Sequence, residues 1–365
     1  MNEPRINGKP ATLAAAAERA AAILSAARMP IIAGLGTDVA GARAAILFAE
    51  RLRGAYDHMY SPQIFADLDV MRQAGLMFTT PNEARLRADA LLFVGKDLTK
   101  VWPTMMERLA PAEIPPFDLT QEPRKLLCIW PGRGGRKVEG LASQTLDASD
   151  LHMALAALRA RAAGRPVSCA KRMLHKLDEF AKILKNARFG VAVWGGDSLD
   201  SLAIEMLHGL IRDLNKTTRF SGLPLGCDSN AAGVVQASGW MTGFPVRTSF
   251  GRGFPEHDTW RFDATRMIES GEADAALWIS AYRPEAPPWK KNIPLVALAS
   301  PQTAFAQEPQ VCIEVGCPGI DHDGADFSRE TASIVGRLAS HPSQAPSVEA
   351  VIGEITKHIG GTPKC

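Results

Sequence analysis

The feature that most constrains this chain is a pattern of helix, buried strand, glycine turn and helix that is written twice. Leu13, Ala17, Ala20, Leu24 and Ala27 fall on one helical face of residues 12–28. Pro30 stops that helix, and Ile31-Ile32-Ala33 reads as a buried strand. Gly34-Leu35-Gly36 turns the chain, Thr37-Asp38 follows, and the next apolar helix carries Ile46, Leu47 and Leu52. In the second half, Leu174, Leu177, Ala181 and Leu184 mark a helix face and Val191-Ala192-Val193-Trp194 a strand. Gly195-Gly196 makes the turn, Asp197 and Ser198 can cap, and a helix runs through Leu202, Met206, Leu207 and Leu210. Ala27-Arg28 before the first strand thus mirrors Ala187-Arg188 before the second.

Two further landmarks repeat in the same order. Arg87-Ala88-Asp89 entering Ala90–Gly95 matches Glu272-Ala273-Asp274 entering Ala275–Ile279, each an acidic turn before a buried strand. A closing apolar strand follows in each half, Leu126–Trp130 and Leu295–Leu298. The expected fold is α/β, with two Rossmann-like parallel-sheet lobes related by internal duplication. The expected boundaries are 1–165 for the first lobe and 166–340 for the second, with a C-terminal helix and tail at 341–365. Residues 220–263, rich in glycine, aromatics and amides, read as a long ordered loop packed by its own side chains. Continuous apolar strands imply sheets covered on both faces, with ligand crevices at the carboxyl ends of the strands. Function is therefore expected near Gly34–Asp38, Gly95–Thr99, Gly195–Ser198 and Ser280–Pro284, with Gly34, Gly36, Gly195, Gly196 and Asp197 as the crevice residues.

Composition narrows the function classes. The 41 Lys and Arg against 39 Asp and Glu leave a formal charge of +2, which gives no bulk electrostatic case for nucleic acid or an anionic membrane. Glu18 and Arg19 interrupt the alanine-rich start, which argues against a signal peptide, and no apolar stretch approaches the roughly 20 residues that span a bilayer. A soluble, cytoplasmic protein is expected. The six cysteines, Cys128, Cys169, Cys227, Cys312, Cys317 and Cys365, are scattered without a C-x-x-C, which fits thiols in a reducing compartment better than a zinc or iron–sulfur site. Cys312 and Cys317 fall on a strand and its exit turn.

No catalytic constellation is complete. The third glycine of G-x-G-x-x-G would fall at Val39, so the glycines of the first turn are accounted for by backbone geometry more readily than by a nicotinamide cofactor. His257-Asp258 and Asp321-His322-Asp323 sit in polar stretches, where a solvated loop is the better reading than metal ligation. Ser61, Ser198, Ser221 and Ser229 lack a G-x-S-x-G frame. Arg124, Lys125, Arg133, Arg136 and Lys137 form the densest cationic segment, either a solvated loop or a contact for a polyanion or an acidic partner surface.

Asp228-Ser229-Asn230-Ala231-Ala232-Gly233, followed by Gly239-Trp240-Met241-Thr242-Gly243-Phe244-Pro245, resembles the central loop of the B subunit of formylmethanofuran dehydrogenase, a family of molybdopterin oxidoreductases. Arg87-Ala88-Asp89, Gly95, and Gly319-Ile320-Asp321 leading to Gly324 also resemble that pattern, so the likeness runs from about residue 12 to about residue 340. It implies the middle domains of the molybdopterin fold. It also implies an N-terminal [4Fe–4S] segment and a metal-ligating cysteine near Tyr56–Pro62, yet the first cysteine here is Cys128 and that segment reads Tyr-Asp-His-Met-Tyr-Ser-Pro. The departure is similar to the B subunit of bacterial formyltransferase/hydrolase complexes, in tetrahydromethanopterin-linked formaldehyde oxidation. The resemblance therefore implies a non-catalytic scaffold that binds no metal and no cofactor itself. Its expected partners are amidohydrolase-like, formyltransferase and further subunits, with a methanofuran analogue as a ligand of the complex. Two alternatives stay open: an active molybdenum or tungsten subunit completed by another chain's cysteines, and a stand-alone nucleotide enzyme using the Gly34–Gly36 turn.

Overall fold

A computed structural model describes residues 3–96, 98–117, 121–131, 143–195 and 199–360. The chain divides into two compact units, the first made of residues 1–61, 228–327 and 334–365 and the second of residues 62–227 and 328–333. In chain order, the first unit opens with β1 (Arg5–Ile6), β2 (Lys9–Pro10), α1 (Leu13–Ala26), β3 (Pro30–Gly36), α2 (Val39–Leu52) and β4 (Ala55–Tyr56). The second unit takes α3 (Ser61–Ala74), α4 (Pro81–Arg87), β5 (Ala90–Val94), α5 (Leu98–Val101), α6 (Met105–Leu109), β6 (Lys125–Pro131) and β7 (Ser143–Ala148). It continues through α7 (Leu151–Ala162), α8 (Lys171–Asn186), β8 (Gly190–Trp194), α9 (Ser201–Leu214) and β9 (Phe220–Pro224). The chain then returns to the first unit with α10 (Ala231–Thr242), β10 (Thr248–Ser249), β11 (Glu256–His257), α11 (Ala264–Ser270), β12 (Ala275–Ser280), β13 (Leu295–Ala299) and β14 (Val311–Glu314). A two-stranded ribbon, β15 (Gly324–Ser328) with β16 (Ser333–Arg337), and α12 (Val348–Lys357) complete the fold.

Both units are α/β with parallel central sheets. The first sheet runs β11-β10-β4-β3-β12-β13-β14-β1-β2, parallel from β4 to β14, with antiparallel rims. The second runs β7-β6-β5-β8-β9 and is parallel throughout. The aliphatic runs are continuous because both faces are buried. In the second sheet, Leu92, Val94, Ile129 and Trp194 pack towards α7, α8 and α9, whereas Leu91, Phe93, Val191 and Val193 pack towards α4, α5 and α6. In the first, Ile31, Ala33, Trp278 and Leu295 pack on Met267 and Ile268 of α11 and on Trp289.

The observed division differs from boundaries at residues 165 and 340, because each sheet is assembled from both halves of the sequence. β3 from the first half pairs with β12 from the second, and β5 from the first pairs with β8 from the second. The repeat landmarks nevertheless occupy equivalent places: β4-β3-β12-β13-β14 in one sheet runs in the same order as β9-β8-β5-β6-β7 in the other. One polar device recurs at both joints. Asp274, just before β12, accepts the backbone N–H groups of Arg28 (3.0 Å) and Met29 (2.9 Å) as they enter β3. Asp89, just before β5, accepts those of Arg188 (2.9 Å) and Phe189 (2.9 Å) as they enter β8. In each case a carboxylate fixes the register at which the next strand starts.

The expected long loop at 220–263 is instead β9, α10, β10 and β11 joined by short turns. Small residues explain why α10 shows little apolar period. It packs against α2 and buries Ala231, Gly233, Val234, Ala237 and Ser238, and a Cβ on Gly233 would lie 2.1 Å from the Asn230 side-chain oxygen. No helix among the described residues is long and apolar enough to cross a membrane.

Candidate functional site

At the carboxyl end of β3, Gly34 and Leu35 take positive φ values of 85° and 52°. A Cβ on Gly34 would stand 2.5 Å from the Ile279 carbonyl oxygen, so the glycine is required by the close pass of β12. The turn delivers Asp38 to the N-cap of α2, where its buried carboxylate accepts from the Gly41 N–H at 3.0 Å. That helix end is the place where a Rossmann fold seats a pyrophosphate. Here the chain's own carboxylate already takes it, and its negative charge repels a second anion. Asp200 does the same for α9, accepting from the Ala203 N–H at 2.8 Å. Gly195 lies at the carboxyl end of β8, and Gly196, Asp197 and Ser198 lie outside the described residues.

β4 delivers a buried polar cluster in the first unit. Asp57 accepts from the Ala264 N–H (3.0 Å), from Arg247 Nε (3.4 Å) and from the Ser61 hydroxyl, and Arg247 also pairs with Asp263. Burial pushes the Asp57 carboxyl up to about 6, against the opposing pull of Arg247, Ser61 and the Ala264 N–H. His58 Nδ1 accepts from the Tyr60 N–H (3.0 Å), which places the ring proton on Nε2, 3.3 Å from the Ser229 carbonyl oxygen. Burial lowers this imidazole to about 4, so it is neutral at physiological pH. Beside it, Tyr60 donates to Glu285 (2.7 Å) and Arg283 pairs with Asp228 (3.0 Å). Asn230 ties the same region together by donating to the Thr37 carbonyl (2.9 Å) and accepting from the Phe327 N–H (2.9 Å).

Chemically the cluster is closed. The Ser61 hydroxyl is committed to Asp57, and both His58 nitrogens are engaged, so these residues present neither a free nucleophile nor an unoccupied base. The segment in which the resemblance implies a metal-ligating thiolate has no cysteine, and its Asp57 carboxylate is already held by a guanidinium, a hydroxyl and a backbone N–H. These residues do not fit a molybdenum or tungsten thiolate site. Sequence reasoning singled out Ser61 but missed Asp57, Arg247 and Asp263. Asp57 and Arg247 lie 190 residues apart, and no local motif announces the pair.

The remaining candidates have local structural roles. Arg124 is buried and donates to the carbonyls of Ala84 (3.2 Å), Ala88 (2.8 Å), Ala112 (3.2 Å) and Arg85. It therefore satisfies the carbonyl end of α4 and is not a surface contact, which corrects the expectation for this residue. Lys125 lines a cavity of about 400 Å³ at the amino ends of the second unit's strands, where Lys125, Lys182 and Arg188 are balanced by Asp89, Glu122 and Glu179. Arg133, Arg136 and Lys137 lie outside the described residues. A larger groove of about 930 Å³, with Arg159, Lys185 and Arg212 on its walls, lies where α7, α8 and α9 end; those cations complement the negative helix termini. His257 Nδ1 lies 3.0 Å from the Arg247 carbonyl, and Asp258 accepts from the Trp260 and Arg261 N–H groups. Asp321 accepts from the Cys317 N–H and the Ser343 hydroxyl. Among the described residues no three His, Cys, Asp or Glu side chains gather as a metal site would need.

No protein-family model matches the chain. It is 36% identical over 358 residues, 96% of each protein, to the B subunit of the formyltransferase/hydrolase complex of Methylorubrum extorquens. It is 24% identical over 358 residues to the B subunit of the tungsten-containing formylmethanofuran dehydrogenase 2 of Methanocaldococcus jannaschii, covering 90% of this chain and 79% of that one. Its fold superposes with a TM-score of 0.87 and 35% identity, over 98% of both chains, on a chain in the crystal structure of the Methylorubrum extorquens formyltransferase/hydrolase complex with methylofuran. The chain belongs to the family of formyltransferase/hydrolase complex B subunits, with formylmethanofuran dehydrogenase B subunits as distant relatives.

Proposed function

We propose that this chain is a non-catalytic scaffold subunit of a formyltransferase/hydrolase complex in tetrahydromethanopterin-linked oxidation of formaldehyde, working in the cytoplasm. The full-length likeness to a B subunit of such a complex, in sequence and in fold, carries the reading. The closed Asp57–Arg247–Ser61 cluster supports it, because that segment offers neither a thiolate nor a free nucleophile. Amidohydrolase-like and formyltransferase partners carry the chemistry, and the methanofuran analogue is held by the complex. Trp240 and Trp260 of the first unit, 67% and 72% exposed, are the kind of large aromatic surface that a partner subunit covers.

The two sheets are read as descendants of one duplicated Rossmann-like unit, in the manner of the middle domains of molybdopterin oxidoreductases. The matching strand orders and the matching Asp89 and Asp274 joints support that descent. The carboxylates capping α2 and α9 speak against a dinucleotide role for the two glycine turns.

The deciding experiment is affinity purification of the tagged chain from its own cells, with formyl-transfer and hydrolysis assays and elemental analysis resolved by subunit. The expected result is a stoichiometric hetero-oligomer with both activities, and no iron, molybdenum or tungsten in this chain. An active monomer, or stoichiometric redox metal in this chain, would overturn the reading.

A further inference from the structure

The second unit contains a cavity of about 310 Å³ at the carboxyl end of β8, walled by Asp67, Gln63, Trp194, Leu199, Asp200 and Ile204 among others. Its size is at the lower end of small-molecule sites, about 300–1,000 Å³, and its position is where open α/β sheets bind ligands. Its charge is unusual for that position. Two carboxylates face it, and no Lys, Arg or His is among its described lining residues. Asp200 is spoken for as the N-cap of α9. Asp67 is not: one oxygen accepts from Trp194 Nε1 at 2.8 Å, and among the described residues nothing positively charged offsets the desolvation of its carboxyl.

Asp67 stands apart from the buried carboxylates of the first unit. Asp57 is more fully withdrawn from water but has Arg247, and Asp38 has the first turn of α2, whereas Asp67 is half-buried. A desolvated carboxylate without a counter-charge is unfavourable unless it is protonated or a cation arrives. The imidazole packed on Trp194 supplies none. His208 packs edge-on to Trp194 at 5.6 Å, is buried, has no hydrogen-bond partner on either nitrogen among the described residues, and burial lowers it to about 4. The companion of the carboxyl among the described residues is therefore a neutral indole N–H, and the walls above it are apolar at Trp194, Leu199 and Ile204.

We propose that this cavity binds a small apolar primary amine as its ammonium ion, with Asp67 as counter-ion and Trp194, Leu199 and Ile204 enclosing the hydrocarbon body. Nucleotides and other phosphates are excluded by the same two carboxylates. Binding there is independent of the scaffold role: its failure would leave that role untouched, and the reverse also holds.

The test uses the purified full chain within its native complex, with phenethylammonium as the probe and 2-phenylethanol and phenylacetate as neutral and anionic isosteres. Binding is read by saturation-transfer NMR and calorimetry. The ammonium should bind with a Kd on the order of 0.1–1 mM, as expected of so small a ligand, and at least about tenfold more tightly than the alcohol, with no binding of phenylacetate. Asp67→Asn keeps an oxygen for the Trp194 N–H but lacks the charge, and should weaken the ammonium about tenfold while leaving the alcohol unchanged. The unmodified protein supplies a second arm that needs no variant. Affinity for the ammonium should be flat above pH 7 and fall about tenfold per pH unit well below 6, where Asp67 is protonated. Among the described residues, the other titratable or charged groups near the cavity are Asp200 and Cys227 on its wall, His208 against Trp194, and Arg329, the last held by the Leu225 and Cys227 carbonyls. Equal binding of ammonium and alcohol, unaltered binding in Asp67→Asn, a pH-independent Kd, or no saturable binding of any probe would each overturn the proposal.

Discussion

Replacing Asp274 with alanine should loosen the first unit by an amount that the geometry fixes. The carboxylate accepts two backbone N–H groups at 3.0 and 2.9 Å, and its side chain is 30% exposed. Hydrogen bonds to a charged group contribute about 1.5–3 kcal/mol each when buried. The Arg28 N–H can rehydrate and the Met29 N–H is only partly able to, so the loss should be about 2–3 kcal/mol. Asp274→Asn keeps one acceptor and should lose about half of that. Asp89→Ala, with a side chain 17% exposed and the same pair of acceptor bonds, should cost the second unit the same within about 1 kcal/mol. Hydrogen exchange read by mass spectrometry separates the two, because β3 and β12 report on one joint and β5 and β8 on the other. A loss of about 2–3 kcal/mol speeds exchange of the slow amides about 30- to 150-fold. The pH dependence carries a definite sign. Burial tends to raise the Asp274 carboxyl, but the Arg28 and Met29 N–H groups and the Arg28 side chain outweigh it and hold it below the ordinary carboxylate value. Its stabilisation is therefore present above the unfolded value of about 4 and fades as the pH falls through the lower folded value, so wild type and Asp274→Ala should converge in acid. Unchanged protection of β3 and β12 in Asp274→Ala at neutral pH would refute the idea that this carboxylate sets the strand joint.

Two other outcomes follow from the same structure. Arg124→Ala should lower the thermal stability of the second unit by about 3–4 kcal/mol, and Arg124→Lys should restore little of it, since a point charge cannot span four carbonyls; circular dichroism melts check this, and a salt-dependent loss of partner binding without a stability change would contradict it. Asp57 and His58 should oppose one another in acid. His58, lowered to about 4, makes stability fall as the pH drops from about 6.5, whereas Asp57, raised to about 6, makes it rise as the pH drops from about 6 towards 4. Stability should be nearly flat between about pH 4 and 6 in the wild type, fall with acid in Asp57→Asn and rise with acid in His58→Gln; parallel urea-midpoint profiles for all three proteins would show the cluster has been misassigned.

Much of the architecture was legible because parallel strands buried on both faces must be continuously apolar. Ile31–Ala33, Leu91–Val94, Val191–Trp194 and Leu277–Ile279 all satisfied that rule and all are strands. β7, Ser143–Ala148, broke it, since an edge strand pairs on one side only and its sequence reads Ser-Gln-Thr-Leu-Asp-Ala. α10 was hidden because its stability comes from close packing of small residues on α2, which leaves no apolar period to count. The individual strands were readable, but the units they build were not. Pairing of β3 with β12 and of β8 with β5 is a choice among sheet orders that hydrophobicity does not distinguish, and a contiguous half was the wrong default.

The candidate sites were legible in the opposite sense, through what the residue types forbid. A segment reading Tyr-Asp-His-Met-Tyr-Ser-Pro cannot supply a thiolate, and that much follows from residue chemistry alone. What the fold adds is where the replacement charge goes. Asp57 is neutralised within its own unit by Arg247, brought from 190 residues away, and the same arginine is shared with Asp263. A buried carboxylate with one guanidinium is costly to disturb and inert towards ligands, because removing either partner strands the other in a desolvated site. Asp67, in the second unit, has had no such compensation: its fixed partner among the described residues is an indole N–H, and it borders open volume. Two desolvated acids have thus reached different ends, one buried and closed by the chain's own cation and one half-buried and left open at the carboxyl edge of a parallel sheet. Pairing with Arg247 accounts for the first. Nothing equivalent among the described residues accounts for the second, and a carboxylate kept only to hold Trp194 could be replaced by an asparagine or glutamine oxygen without the cost of desolvating a charge.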